Sequence, residues 1–457
     1  LVIREISMRA LNLKLWAVLP IILLIHSAPT PAQTVCDAAA VKLGNNFIQV
    51  APTGSDDTAN IQCALDLAVE KRIPEIRLTR GDFFISSLSA QNLVGTLQGG
   101  GRDHTRLNVL DRSVDCAAME ARGEATAAIK FAGGEPRVRW LTLAVDPTFF
   151  PCATGGSYGG LSAMVHFTGH GEHPSSCRAD VIYGTIDRAN LDGPRNYYIG
   201  PQAIYTGVLV AAEASGTAEC RNSLLGSIKI NRSLISGFAR GAWLIMGGNA
   251  QVSVLNNDFD GNHVGLRFED SNAVATVFGN RFSSKAPGSY SCCESGGTGI
   301  GVLNTIVSTS GTRLDIRGNT FEISSSEFDS SWGIRLIRSP GATAVDSVVS
   351  GNHFRLGGGG NLATAVSSYG VSGGFLNDNL LTSYLQGKGM LLYVNADVIG
   401  EADRWTVVSN RGLADMYRST LEDADVHLGG YSSNALIGQG QAAIVRDEGI
   451  DNIVLPQ

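Results

Sequence analysis

From about residue 226 the chain returns to one short phrase: an alternating apolar strand, then Asn, one variable residue and a large apolar residue. The Asn members are Asn257, Asn280, Asn319, Asn352 and Asn379, and their apolar partners are Phe259, Phe282, Phe321, Phe354 and Leu381. Successive partners lie 23, 39, 33 and 27 residues apart. A shortest period near 23 with longer ones mixed in describes a coil of short strands whose connections swell on one side. Second strands opening with Gly lie between the phrases, at Gly241, Gly265, Gly299, Gly333 and Gly389. In one of them Leu266 and Phe268 alternate with Arg267 and Glu269, the pattern of a half-buried strand.

No single phrase can bury its apolar face alone, so the coils must stack and share one column of inward Val, Ile, Leu and Phe. The expected fold is therefore all-β, a right-handed parallel β-helix. The repeated Asn is expected at a corner, where it tolerates left-handed backbone and its side chain bonds neighbouring backbone groups. Irregular spacing and the lack of a repeated Trp-Asp pair fit a β-propeller poorly. Residues 127–145 and 163–191 each place two strands around a polar turn, and the Gly- and Pro-rich connection at 146–160 reads as a loop folded over one face. The pattern fades after about residue 398, as expected of a terminal cap. With 17% charged residues in 457, the chain can bury a large core.

At the start, Arg4, Arg9 and Lys14 precede the apolar run Leu15 to Ile25 and a small-residue, Pro-containing stretch, the three-part form of a secretory signal with cleavage expected after Ala32. Met8 would set the apolar run at the usual distance from a start. The run is shorter than the roughly 20 residues that span a bilayer, and no second one follows, so the mature chain is expected to be soluble and exported, to the periplasm or beyond. Losing residues 1–32 takes three basic and one acidic side chain from the 35 and 42 present, leaving a net charge of −9. That sign argues against nucleic acid as a partner, while a local basic groove could still hold an anionic polysaccharide. All eight cysteines fall in the mature part without zinc-site spacing, so disulfides are expected. Their connectivity stays open; Cys36 with Cys63 is the pairing expected if the N-terminal segment is tied to the helix that follows.

That helix is read from Ile61, Ala64, Leu65, Ala68 and Val69, which share one face at helical spacing within residues 58–71. Asp56 and Asp57 precede it, and helix-start chemistry accounts for both: cap candidates and negative charge at the positive end of the dipole. The stretch Gly54-Ser-Asp56-Asp57-Thr58, then Ile61-Gln62, Gly81 and Gly99 to Gly101, resembles the N-terminal signature of the pectate-lyase-like β-helix superfamily over about 60 residues. The resemblance implies that the helix caps one open end of the cylinder and shields its strand edges. The expected division is therefore 1–32 signal peptide, 33–72 N-terminal segment with capping helix, and 73–457 β-helix with long loops and a C-terminal cap. That superfamily holds polysaccharide lyases, glycoside hydrolases, epimerases and glycan-binding surface proteins, so the resemblance implies a polysaccharide partner and leaves the reaction open.

Chemistry in such a fold is expected along outward ladders. Aligning the Gly-opened strands puts Trp243, Arg267 and Arg335 on one ladder, with His166 on an earlier coil, and Glu269 and Tyr393 on the next. An aromatic ring beside guanidinium suits a sugar groove, where the ring stacks on the pyranose and Arg pairs with a carboxylate. For β-elimination on a uronate, Arg267 or Arg335 would neutralise the carboxylate, with His166 or Tyr393 as base or acid; Trp243 and Tyr393 would bind substrate, and Glu269 completes the set. Hydrolysis would instead need paired carboxylates, for which Asp258, Asp260, Glu269 and Asp270 are near one another in sequence. Gly169-His170-Gly171 reads as a polar turn. Calcium serves several lyases of the resembled superfamily, and Glu269 with Asp270 alone would be too few ligands for it.

Overall fold

The computed structural model describes residues 36–110, 126–145, 162–169, 180–193, 205–212, 224–268 except 239, 248, 249 and 263, 273–283, 303–308, 313–325, 331–337, 347–358, 363–383 except 372, 389–395, 402–411, 426–428, 432, 433, 435–438 and 445–455. The expected signal segment, its cleavage point and six of the eight cysteines lie outside the described residues. No helix among the described residues is long and apolar enough to cross a membrane.

Among the described residues short strands recur in threes and stack into three large sheets of 15, 10 and 12 strands, parallel except where Val41–Leu43 pairs antiparallel with Ile48–Val50 at the edge of the first. One coil shows the plan. Gln251–Leu255 belongs to the fifteen-stranded sheet, Asp258–Asp260 to the ten-stranded and Val264–Phe268 to the twelve-stranded, and the next coil repeats the order. The fold is the right-handed parallel β-helix expected from the repeat. Its core is the column of apolar partners: Phe259, Phe282, Phe321 and Phe354 stack with nearly parallel rings at 4.9, 5.0 and 4.7 Å, close to the strand spacing itself. Each is buried, and Leu381 continues the column.

Beside this column the repeated Asn side chains form a second, polar one. Asn280 receives the backbone N–H and side-chain amide of Asn257 at 2.8 and 2.9 Å, and Asn319 receives those of Asn280 at 2.8 and 3.0 Å. The remaining amide hydrogen of Asn280 goes to the Val254 carbonyl at 2.8 Å. The same arrangement carries through Asn352, Asn379 and Asn410. Ser233 closes the near end, its N–H donating to Asn257 at 2.9 Å. The left-handed residue at this corner is not the Asn but the one before it: Asn256, Gly279, Gly318, Gly351 and Asp378 have φ of 55, 66, 60, 62 and 53°. Asn is therefore required for its side-chain bonds and not for backbone tolerance. Earlier coils keep the corner, with Trp140 and Arg188 left-handed, but put buried Leu141 and Ala189 where later coils put Asn.

The helix Thr58–Lys71 packs Ile61, Ala64, Leu65 and Ala68 into the core beside the first strands. The two carboxylates divide their work differently from the sequence reading. Asp56 accepts from the Thr58 N–H at 2.9 Å, as a helix-start residue should. Asp57 is fully buried and makes no side-chain cap bond; it accepts from the Thr53 N–H and hydroxyl at 2.8 and 2.7 Å and from the Phe84 N–H at 3.2 Å, tying the entry loop to the first coil. Gln62 reaches the outermost strand of the twelve-stranded sheet, Leu88–Gln91, and bonds both the N–H and the carbonyl of Ser89, at 2.9 and 2.7 Å. An exposed strand edge is satisfied without another strand. The Cys36–Cys63 disulfide joins the N-terminal segment to this helix. At the other end Thr406–Val408, Leu436–Gly438 and Ile453–Val454 extend the fifteen-stranded sheet.

Candidate functional site

The outer face of the twelve-stranded sheet carries the residues singled out above. Strand register places His166 beside Leu209, then Trp243, Arg267, Val307, Arg335, Ser367 and Tyr393 along one ladder. Tyr393 thus shares the ladder of Arg335 and does not sit on the next one. The reason is register: Gly389 pairs with Ala363, two positions earlier in its strand than Ala365, which faces Gly333. Glu269 and Asp270 lie outside the described residues, as do His170 and Gly171.

The ladder is not uniform. At its early end Leu209, Ala211, Trp243, Ile245 and Ala163 form an apolar cluster separate from the core. His166 lies in this covered stretch at 1% exposure, with Nε2 at 3.2 Å from the Ala211 carbonyl. Burial and the neighbouring Lys130 charge push its imidazole down to about 4, so it is neutral near pH 7; its Nδ1 has no hydrogen-bond partner among the described residues. His166 stands five strand spacings from Arg335, about 24 Å, so the two do not act on one bond. Further along, Arg240 and Trp243 are still buried, and Arg267 and Arg335 are half-buried. Arg240 stacks on the Trp243 ring at 4.0 Å and Arg267 lies 5.4 Å from it, one coil on. Three coils beyond Trp243, Arg335 stacks on Trp332 at 4.5 Å. Burial lowers the pKa of the half-buried Arg335, and no carboxylate among the described residues pairs with it. A partly desolvated guanidinium stacked on an aromatic face, with no carboxylate partner among the described residues, can take an anion.

A second charged face was not found in the sequence. Each core Phe of the ten-stranded sheet is flanked by outward residues that fall into register: Asp258 and Asp260 about Phe259, Arg281 and Ser283 about Phe282, Thr320 and Glu322 about Phe321. Arg281 lies 3.3 Å from Asp258 and 3.1 Å from Glu322, and Arg355 lies 3.0 Å from Glu322. Burial raises the Asp258 carboxyl above its ordinary range against the pull of Arg281, with the Asp260 charge adding to the rise. The signal was present: aligning the chain on its Phe column and reading the residues on either side gives this ladder directly. Among the described residues no three His, Cys, Asp or Glu side chains converge to hold a metal ion.

No family model matches the sequence, and no curated protein matches it either. Solved structures do. The Dettilon tailspike protein aligns with 89% of this chain and 68% of its own at 13% identity and a TM-score of 0.51. The DFA-IIIase of Arthrobacter chlorophenolicus A6 without its lid aligns with 91% of this chain and 100% of its own at 11% identity and a TM-score of 0.50. At such identities the likeness is one of fold, and it defines the class: this chain is a right-handed parallel β-helix protein like those two.

Proposed function

We propose that this is an exported carbohydrate-active protein that binds a uronate-containing polysaccharide along the outer face of the twelve-stranded sheet and cleaves it by β-elimination. The observation that carries the reading is Arg335, desolvated, stacked on Trp332 and without a carboxylate among the described residues. A sugar carboxylate would supply the missing charge. Neutralising that carboxylate acidifies the C5 proton; a base removes it, its electron pair forms the C4–C5 double bond, and the C4–O4 bond breaks with protonation of the leaving oxygen. Tyr393, two strand spacings or about 10 Å from Arg335 on the same ladder, is assigned the proton transfer. Arg267 holds a sugar further along, backed by the buried Trp243 ring and not by an open stacking face there, and Glu269 follows Arg267 by two residues in the same segment. The Cys36–Cys63 bridge supports an oxidising destination.

Hydrolysis is the second reading, favoured by Asp258, whose carboxyl burial raises above its ordinary range and which shares Arg281 with Glu322 on one face, since a glycosidase needs paired carboxylates. One panel separates the two. Uronate-containing and neutral polysaccharides are incubated with the full chain, and products are followed by absorbance of unsaturated ends and by new reducing ends. Unsaturated ends lost in Arg335→Ala bear out the lyase reading. Reducing ends without unsaturation, lost in Asp260→Asn, replace it with hydrolysis, and binding with neither product leaves a glycan-binding protein.

A further inference from the structure

The geometry points to a second ligand site, for a neutral saccharide, in a cleft on the outer face of the ten-stranded sheet near its first coils. The cleft encloses about 430 Å³, within the roughly 300–1,000 Å³ of small-ligand sites. Register lines up Asp82, Arg106, Thr142, Asn190 and Leu234 on five successive strands, a run of four strand spacings or about 19 Å. This face is a different sheet from the one bearing Arg335, and the inference does not depend on the reaction assigned there.

Its walls are held before any ligand arrives. The turn carrying Arg102, Asp103 and His104 is fixed by the Gly81 N–H on the His104 carbonyl at 2.7 Å, the His104 N–H on the Gly101 carbonyl at 3.0 Å and the Thr142 hydroxyl on the Arg102 carbonyl at 2.8 Å. The side chains facing the cleft are held to one another at the surface. Arg102 reaches Asn190 at 3.4 Å, Arg106 donates through Nε to Asn108 at 2.9 Å and reaches Asp192 at 3.8 Å, and Asp192 accepts from the Ser236 hydroxyl at 3.3 Å, with the Arg106 and Asp192 side chains more than a third exposed. A ligand can exchange these contacts without stranding a buried charge.

The donor and acceptor set selects the ligand class. Arg102, Arg106 and Asn190 offer forked N–H donors, while Asp82, Asp103 and Asp192 offer only acceptors. A sugar hydroxyl donates and accepts at once, so adjacent hydroxyls satisfy both sets. An anion meets three carboxylates and a bare cation meets two guanidinium groups. Leu234, half-buried on the floor, supplies apolar contact for the C–H face of a ring.

The test is isothermal titration of the full chain with three hexasaccharides, β-1,4-linked glucose, mannose and galactose. At least one is expected to bind, with affinity at least tenfold weaker in the Arg102→Ala/Asp192→Asn double variant and unchanged in Arg335→Ala. Arg102→Lys keeps the charge, removes the fork and is expected to weaken binding in the same direction; it decides the matter if circular dichroism shows the double variant misfolded. The inference is overturned if none of the three binds, if binding survives the fork-removing changes, or if Arg335→Ala abolishes it. Failure of the lyase reading would show in the uronate assay alone and leave these titrations as they are.

Discussion

Removing one side chain from the asparagine column tests the physical account of the fold most directly. In Asn319→Ala the buried backbone N–H of Asn280 and one hydrogen of its side-chain amide lose their shared acceptor, and the Val277 carbonyl loses a donor at 2.9 Å. All of this lies where Asn280 and Asn319 are 2% and 1% exposed, so water cannot substitute. Stranding two to three buried polar groups at roughly 1–3 kcal/mol each predicts a loss of about 3–5 kcal/mol. Because stacked coils are stabilised mainly by nearest neighbours, the damage should be local. Amide hydrogen exchange is expected to accelerate in Val274–Phe278 and Arg313–Arg317 while the helix Thr58–Lys71 keeps its protection. Thr320→Ala, the next residue along but outward, is the control and should stay within about 0.5 kcal/mol. If Asn319→Ala shifts the denaturation midpoint no more than this control, or if exchange rises evenly along the molecule, the column does not bear the stability assigned to it.

Acid should reveal His166. Its folded pKa of about 4 lies below the unfolded value of 6.5, so between those limits the unfolded chain binds more protons and stability falls as pH falls, by up to about 3 kcal/mol; denaturation curves of His166→Gln at pH 7 and pH 4 should differ by correspondingly less than those of the parent. Gly374 lies against the face of Trp405, so the methyl of Gly374→Ala would overlap the ring; overpacking of this kind predicts a loss of about 1–3 kcal/mol with a change in Trp405 fluorescence, and an unchanged spectrum and melting point would refute the contact.

The fold was legible because the Phe anchors and their Asn companions recur in sequence at every later coil. Early coils were harder to read for a specific reason: Leu141 and Ala189 replace Asn at the same corner, so the phrase disappears while the geometry persists. Asn410 escaped notice similarly. It extends the column, but Gly412 stands where the other phrases have a large apolar residue. The candidate site was legible in its residue types and less so in its register. Trp243, Arg267 and Arg335 do share a ladder, yet Gly389 is offset from the other strand-opening glycines and misplaced Tyr393. Burial was the least visible quantity: nothing local to His166 distinguishes a covered imidazole from an open one, because its cover comes from distant parts of the chain. Charged residues flanking Phe259, Phe282 and Phe321 were in plain sight, but their meaning appears only when strands far apart in sequence are laid side by side.

The asparagine column also has a direction. Every carboxamide from Asn257 to Asn379 donates toward the C-terminal end and accepts from the N-terminal side, so the groups align head to tail like magnets in a row. Ser233 starts the row, and Asn410 finishes it by turning its spare hydrogen onto the Val408 carbonyl at 3.1 Å. Every interior junction is chemically the same junction. A whole turn gained or lost between the ends therefore meets the same partners above and below, whereas a fraction of a turn meets none. Length in this molecule is quantised: the column admits change one whole coil at a time.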